Sequence, residues 1–351
     1  MLEKKVPVLE KKVSMLESMQ PIKSLEGIAP DAIPQAVLQS PVPLVLKGLV
    51  KNWPIVTAAE QSAEAAFHYL CQFYNGELLN TAIGDSDNKG AIFYNQDFSG
   101  FAYERARSSL TNAYNNIKNL HTSGSARAYY VDSAPVDMCV PGFRAHNDLQ
   151  LGQYVPRVSL WMGNKTIVSA HHDVPDNIAC VVIGKRRFVL FPPNQLNNLY
   201  IGPLDFNPAG PAISMVDMHN PDFEKYPRYR EALAHAQIAE LEPGDAIYIP
   251  SMWWHHVEGL MPFNLMVNYW WTAFPAHLGS PQDAFTHALL NIRSLPEDER
   301  SHWKNMFDHY IFDSNPENTA HIPPEKLGVL GELDETAAGL LRSQLLNRLK
   351  R

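Results

Sequence analysis

Cysteine and long apolar runs are both scarce in this sequence. Its 351 residues include three cysteines, Cys71, Cys139 and Cys180, and they form no CxxC pair. Such sparse use is typical of a reducing compartment, so we expect a cytoplasmic protein. No run of about 18 apolar residues is present, which predicts no membrane span. The N-terminal segment also lacks the uninterrupted apolar stretch of a secretory signal.

Positive charge is in short supply as well. Lys and Arg total 29 against 37 Asp and Glu, which gives a net charge of −8, and no long basic run occurs. Proteins that bind the phosphates of nucleic acid normally have a positively charged surface, so the negative net charge argues against a nucleic-acid partner. Apolar residues at 45% and charged residues at 19% are ordinary globular values, which exclude wholesale disorder.

The chain length suggests two domains, or one large domain with helical additions. Residues 1–20 form a segment of their own, with a heptad-like spacing of Leu2, Val6, Leu9, Val13 and Leu16 that Pro7 interrupts. This spacing fits either a short coiled coil or a frayed or mis-started terminus. Residues 21–125 are expected to form an α/β lead-in, with a strand at 44–46, a helical stretch at 58–74 and weakly patterned polar residues at 80–126.

Residues 126–275 are rich in short strand-like runs, most of them bounded by Gly, Pro or Asn. The runs are Ala126–Val131, Val158–Met162, Thr166–Ala170, Ile178–Ile183, Arg187–Phe191, Ala246–Ile249 and Asn264–Trp271. Many short strands separated by turns predict a sandwich or barrel. The expected fold class is therefore mainly β, with helices added at both ends.

Residues 276–351 have a helical pattern, with predicted helices at 284–292, 301–311 and 337–349. In the last of these an apolar stripe is formed by Ala337, Leu340, Leu341, Leu345 and Leu349. The stripe either packs on the barrel or forms a dimer face.

The His171-His172-Asp173 motif is the first candidate for chemistry. In a strand, residues i and i+2 point to the same side, so His171 and Asp173 share a face and His172 points away. A third ligand has to come from elsewhere, and the segment around His255 and His256 offers one. Because the charged Glu258 is expected to face solvent, alternation turns His255 inward. Two histidines and one carboxylate form the facial triad of non-haem Fe(II) oxygenases, although an HxD tripeptide also occurs in turns as an ordinary structural histidine.

Longer segments around these residues resemble a known enzyme family. They read HHDVPDNIACVVIGKRRFVLFPP, LEPGDAIYIPSMWWHHVEGL and FNLMVNYWW, with a looser match in PVPLVLKGLVKNWP at 41–54. These segments are similar to those of the cupin-like, JmjC-type 2-oxoglutarate oxygenases, and in particular to those of the asparaginyl hydroxylases of the factor-inhibiting-HIF type. This resemblance implies a double-stranded β-helix (jelly roll) at 126–275 that binds Fe(II) through His171, Asp173 and His255.

The resemblance also implies a set of contacts to 2-oxoglutarate. Tyr130 and a basic residue would hold the far carboxylate. The position of that basic residue falls on Arg186, where the asparaginyl hydroxylases have lysine, and Lys185 is the alternative. Asn177, Asn268 and Trp270 match family positions near the site. Val168 departs from the pattern, because it stands where a threonine hydroxyl contacts the cosubstrate.

The implied activity couples decarboxylation of 2-oxoglutarate to hydroxylation by O₂, with a protein or peptide side chain or a small molecule as substrate. A homodimer through the C-terminal helices is the implied assembly. Two other readings of the residues stay open: a cupin-fold metal enzyme that does not use 2-oxoglutarate, and a non-catalytic cupin-like binding module.

Overall fold

The computed structural model describes residues 15–85, 87, 89–208 and 210–350. The heptad-like positions before residue 15 therefore lie outside the described residues. The described chain forms two compact units, one ending at Thr272 and the other beginning at Ala273.

The first unit is built on two β-sheets. The six-stranded sheet has the order β1-β12-β11-β14-β9-β5; its strands in that order are Gln20–Pro21, Gln237–Leu241, Arg186–Phe191, Trp254–Gly259, Ile167–His171 and Ala91–Ile92. The nine-stranded sheet has the order β2-β3-β13-β10-β15-β8-β7-β4-β6; its strands in that order are Ser24–Glu26, Leu44–Lys47, Ala246–Ile249, Asp176–Ile183, Asn264–Trp271, Arg157–Gly163, Tyr129–Pro135, Leu79–Gly84 and Tyr103–Ser108.

From β8 to β15 the chain passes repeatedly from one sheet to the other, which is the connectivity of a jelly roll. The fold class predicted from the sequence, mainly β with a jelly-roll core and added helices, is confirmed. Apolar side chains from the facing sheets meet inside it, among them Phe188 and Leu190 of β11 and Met266 of β15. Each such buried side chain contributes about 1.5–3 kcal/mol, so the walls that carry the site are firmly held.

Short helices accompany the sheets of the first unit: α1 at Gln35–Leu38, α2 at Pro54–Gln61, α3 at Ala63–Cys71, α4 at Leu110–Thr122, α5 at Val136–Cys139 and α6 at Tyr229–Ala234. The helical stretch predicted at 58–74 is two helices. Ser62 interrupts it with extended backbone (φ −170°, ψ 158°) and caps α3 by accepting a hydrogen bond from the Ala65 N–H.

The weakly patterned residues 80–126 are more ordered than the sequence indicated, since they contain most of β4 and all of β6 and α4. β6 is an edge strand that pairs only with β4 in its sheet. Its sequence, YERARS, shows no alternation of apolar and polar residues because most of its side chains are exposed. An edge strand of this kind gives little periodic signal.

The expectation that Glu258 faces solvent was wrong. Its side chain is buried, and its carboxylate accepts hydrogen bonds from His256 Nε2 at 2.9 Å and Arg187 Nη1 at 3.2 Å and lies 2.9 Å from His219 Nε2. The reason is the 192–236 insertion between β11 and β12, which covers the outer face of β14 with apolar residues. His255 points inward as expected, but both faces of its strand are covered.

Replacing Glu258 by glutamine is expected to lower the free energy of unfolding by about 2 kcal/mol at pH 7, because charged hydrogen bonds in a buried setting are lost. Burial alone would raise the pKa of Glu258, but the hydrogen bonds from His219 and His256 outweigh that effect and hold the pKa well below its ordinary value of 4.5. The carboxylate's contribution is therefore full above pH 4.5 and is lost as the pH falls further, by up to about 1.4 kcal/mol per pH unit. Urea unfolding at a series of pH values measures this.

The matched control is Glu240→Gln, because Glu240 pairs with the same Arg187 at 2.7 Å but is exposed. That variant is expected to stay within about 0.5 kcal/mol of wild type. Equal effects of the two substitutions at every pH would contradict the structural role assigned to Glu258.

The second unit contains α7 at Pro281–Asn291, α8 at Glu297–Phe307 and α9 at Glu335–Leu349, each overlapping a helix predicted from the sequence. Ser280 and Asp334 cap α7 and α9 by accepting backbone N–H hydrogen bonds. Within the described part of the chain, no helix combines the length and the apolar character that crossing a bilayer requires.

Candidate metal centre and cosubstrate pocket

Two neighbouring strands of the six-stranded sheet bring the predicted histidines together. His171 ends β9 and pairs directly with His255 of β14, and their ring centroids are 4.2 Å apart. Asp173 lies just beyond the end of β9, with its Oδ2 3.7 Å from His255 Nε2. One ligand atom from each of the three residues lies within 4.8 Å of the others. The distant segments of the motif therefore form one donor cluster.

Hydrogen bonds to backbone carbonyls orient both imidazoles. His171 Nδ1 lies 2.9 Å from the Ser169 carbonyl oxygen, and His255 Nδ1 lies 3.0 Å from that of Trp253. A carbonyl only accepts, so each Nδ1 donates a hydrogen, and in a neutral ring this tautomer leaves the lone pair of Nε2 free for a metal. Burial, with His171 nearby, lowers the pKa of His255 to about 4, so this ring is neutral at pH 7. These rings are prepared to ligate a cation.

The carboxylate of Asp173 is also held in place. Trp270 Nε1 donates to Asp173 Oδ2 at 3.0 Å, and the Arg157 guanidinium lies 4.8 Å from the centroid of the Trp270 ring. Two nitrogen donors and one carboxylate oxygen suit Fe(II) and related divalent metals. The neighbouring His172 takes no part, because its ring packs edge-to-face on Trp254 on the other side of the strand.

A cavity of about 490 Å³ adjoins the three donors, between the two sheets. Strand register places the predicted residues on its wall. Asn177 faces Trp270 across β10 and β15, and Asn268 lies two residues before Trp270 on the same face. Tyr130 of β7 and Val168 of β9 complete the predicted lining. Asn268 Nδ2 donates to Asn177 Oδ1 at 2.9 Å, while the Asn268 Oδ1 is buried without a partner.

Arg186 is a buried cation without a buried anion. Its side chain is 1% exposed and it forms no ion pair with any described residue. Its Nη2 donates to the Trp161 carbonyl at 3.3 Å, whereas its Nε has no acceptor. Burial lowers the pKa of Arg186, because removal from water penalises the charged form of the guanidinium. Buried charges are normally paired, so this guanidinium fits an anionic ligand.

Of the other two residues predicted to bind the far carboxylate, Tyr130 is buried and Lys185 is exposed. Tyr130 is buried beside Arg186, and burial raises the pKa of its hydroxyl well above the ordinary value, so the hydroxyl stays protonated and can donate. Lys185, the alternative to Arg186, lies outside the cavity and pairs with the exposed Glu242. An ammonium on that side of β11 cannot reach a ligand inside the barrel.

Several cavity residues were not predicted from the sequence. Trp161 of β8 and Asp132 of β7 line the wall, and Asn80, Arg105 and Arg107 line it where the side chains are exposed to solvent. Arg105 and Arg107 are two residues apart on β6 and therefore share a face. Had β6 been predicted as a strand, this pair of arginines would have been recognised from the sequence. Trp161 gave no signal, because an aromatic residue in a strand is typical of any core.

The jelly roll and its two-histidine, one-carboxylate centre define a cupin-type protein with a candidate metal site. The sequence profile of the family described as Cupin-like domain matches residues 30–277. This match covers more than half of the chain, and the protein belongs to that family.

Proteins similar in sequence to this chain have diverse names. The chain is 30% identical over 174 residues to tRNA wybutosine-synthesizing protein 5 of Gallus gallus, covering 44% of this chain and 52% of that protein. It is 30% identical over 152 residues to HSPB1-associated protein 1 of Homo sapiens, covering 42% and 30% respectively. It is 33% identical over 129 residues to Lysine-specific demethylase JMJ31 of Arabidopsis thaliana, covering 35% and 23%. The matches span about half of these relatives or less.

Proposed function

We propose that this protein is an Fe(II)- and 2-oxoglutarate-dependent oxygenase that hydroxylates a protein or peptide side chain. The observation that carries the proposal has two parts. One cavity wall presents a two-histidine, one-carboxylate donor set and Trp161. The Trp161 carbonyl accepts a hydrogen bond from the buried guanidinium of Arg186, which forms no ion pair with any described residue. A dicarboxylate cosubstrate satisfies both features at once, since one end can chelate a metal and the other can neutralise Arg186.

Each residue then has a defined task. His171, Asp173 and His255 would hold Fe(II), which supplies the activation of O₂ and of 2-oxoglutarate when bound. Arg186 and Tyr130 would bind the far carboxylate, the first by charge and the second by its hydroxyl. Asn177 and Asn268 would contact the cosubstrate near the metal, and Trp270 keeps Asp173 in its ligating orientation.

The substrate class is inferred from the size and charge of the site. A cavity of about 490 Å³ that also holds a cosubstrate admits one side chain or a small molecule. Relatives carry names that refer to tRNA wybutosine synthesis and to lysine demethylation. The net charge of −8 favours a polypeptide over a polyanion for this chain.

The proposal predicts Fe(II)-dependent conversion of 2-oxoglutarate to succinate, which proton NMR follows directly. Candidate peptides are added in pools. The pool that contains a substrate is expected to accelerate succinate formation, and the substrate peptide is expected to gain one oxygen atom, about 16 mass units, on a single residue. A metal enzyme of another kind would leave 2-oxoglutarate unchanged in every pool. A binding module would retain a peptide without oxidising it.

A second copy of the chain is the proposed partner of the C-terminal helices. Leu340, Leu345 and Leu349 of α9 are all more than 40% exposed. Exposed leucines repeated along one helix are typical of a helix–helix interface. Replacing Leu340 and Leu345 by glutamate is expected to convert a dimer to a monomer in sedimentation equilibrium, with Arg348→Glu as the polar control; a monomeric wild type would contradict this assembly.

A further inference from the structure

Trp161 lies in the cavity wall beside Arg186. Its backbone carbonyl accepts the hydrogen bond from Arg186 Nη2 at 3.3 Å. Its ring packs on that of Tyr130 with centroids 5.8 Å apart and meets Trp270 edge-on at 5.7 Å. Trp161 therefore sits between the two residues proposed to hold the far carboxylate and the residue that orients Asp173.

The indole N–H of Trp161 is buried and has no acceptor among the described residues. Arg186, whose Nη2 binds the Trp161 carbonyl, also has a buried Nε without an acceptor. A buried donor without a partner is costly, and native structures rarely leave two of them in one place. Both donors demand an acceptor that the described protein atoms do not provide.

The facing wall cannot supply that acceptor. Val168 of β9 and Val257 of β14 pair with each other across the six-stranded sheet and line the cavity with apolar methyl groups. A ligand oxygen near Arg186 thus finds its neutral donors on the Tyr130–Trp161 side. On that side, the Tyr130 hydroxyl and the Trp161 indole N–H are the neutral donors nearest in the structure to the Arg186–Trp161 hydrogen bond.

Resting on the function proposed above, we propose that the indole N–H of Trp161 is a hydrogen-bond donor to the far carboxylate of 2-oxoglutarate. Arg186 and Trp161 together then recognise an acid with a carboxylate at both ends and disfavour 2-oxo acids that end in a methyl group. Trp161 is a cosubstrate-binding and specificity residue, not a packing residue alone.

The test compares Trp161→Phe with wild type in anaerobic calorimetry, with Mn(II) in place of Fe(II). The variant keeps an aromatic ring and loses the N–H, and its affinity for 2-oxoglutarate is expected to fall about 10-fold, as for the loss of a hydrogen bond to a charged group. Its affinity for 2-oxopentanoate, which has a methyl group where 2-oxoglutarate has the far carboxylate, is expected to be unchanged.

The matched control is Trp271→Phe. Trp271 also has a buried indole N–H without an acceptor, but it belongs to the apolar cluster on the other side of the nine-stranded sheet and does not line the cavity. This variant is expected to bind both acids as wild type does.

A spectroscopic signature tests the contact itself. In ¹⁵N-labelled protein with diamagnetic Zn(II), the indole N–H resonance that is missing from Trp161→Phe is expected to move downfield when 2-oxoglutarate is added, and to stay in place with 2-oxopentanoate. Equal loss of affinity for both acids, or no loss for either, would overturn the inference while leaving the proposed function intact. If wild type binds no 2-oxoglutarate at all, the proposed function fails and this inference fails with it.

Discussion

Replacing Asp173 by alanine is expected to lower metal affinity at least about 100-fold and to reduce succinate formation to background. Asp173 supplies the only carboxylate of the described donor cluster, and its Oδ2 is fixed by Trp270 at 3.0 Å. Loss of residues that merely orient a ligand already costs about 10–100-fold, so loss of the ligand itself must cost more. Titration of Mn(II) or Co(II) measures the affinity.

Two further variants separate ligation from folding. Asp173→Asn keeps the shape and an oxygen for Trp270 but removes the charge, and should show a similar loss of activity with an unchanged melting temperature. Asp137→Ala, at an exposed surface ion pair with Arg144, is the neutral control. Succinate production by Asp173→Ala at the wild-type rate would contradict the proposal that Asp173 is a metal ligand required for turnover.

Replacing Arg186 by methionine is expected to have opposite effects on binding and on stability. Affinity for 2-oxoglutarate should fall by about 100-fold or more, because a charge-assisted pair with a carboxylate is lost in a buried site. Without cosubstrate, however, the melting temperature should stay level or rise. A fully buried cation without an anion is costly, and methionine fills a similar volume without that cost.

Lys185→Met provides a control at the adjacent residue, since Lys185 is exposed and pairs with Glu242 outside the cavity. It should change neither cosubstrate binding nor the rise in melting temperature that 2-oxoglutarate produces in the presence of Mn(II). If Arg186→Met shows the same ligand-induced rise as wild type, Arg186 does not bind the cosubstrate.

The strands of the barrel could be predicted because glycine, proline and asparagine mark their ends. Ile178–Ile183 and Asn264–Trp271 were found within two residues of their observed bounds, Asp176–Ile183 and Asn264–Trp271. β6 could not be predicted, since an edge strand with charged side chains has no apolar alternation. The break at Ser62 was hidden because alanines continue the helical pattern on both sides.

That His171, Asp173 and His255 lie close together could be predicted from strand alternation, yet one premise of that reasoning was wrong. Glu258 was expected in solvent, but the segment between β11 and β12 covers it, and it lies buried against His256 and beside the more exposed His219. Burial by a segment distant in sequence leaves no local trace. Trp161 illustrates the same limit: only the assembled sheet reveals that its N–H lacks an acceptor.

The central claim is that one cavity binds both a divalent metal and 2-oxoglutarate. Anaerobic calorimetry with wild-type protein, titrating 2-oxoglutarate with and without Mn(II), tests it most directly. The account predicts 1:1 binding that requires the metal and is lost in Arg186→Met. Absence of 2-oxoglutarate binding with Mn(II) in place would contradict it, and the protein would then be a cupin of a different chemistry.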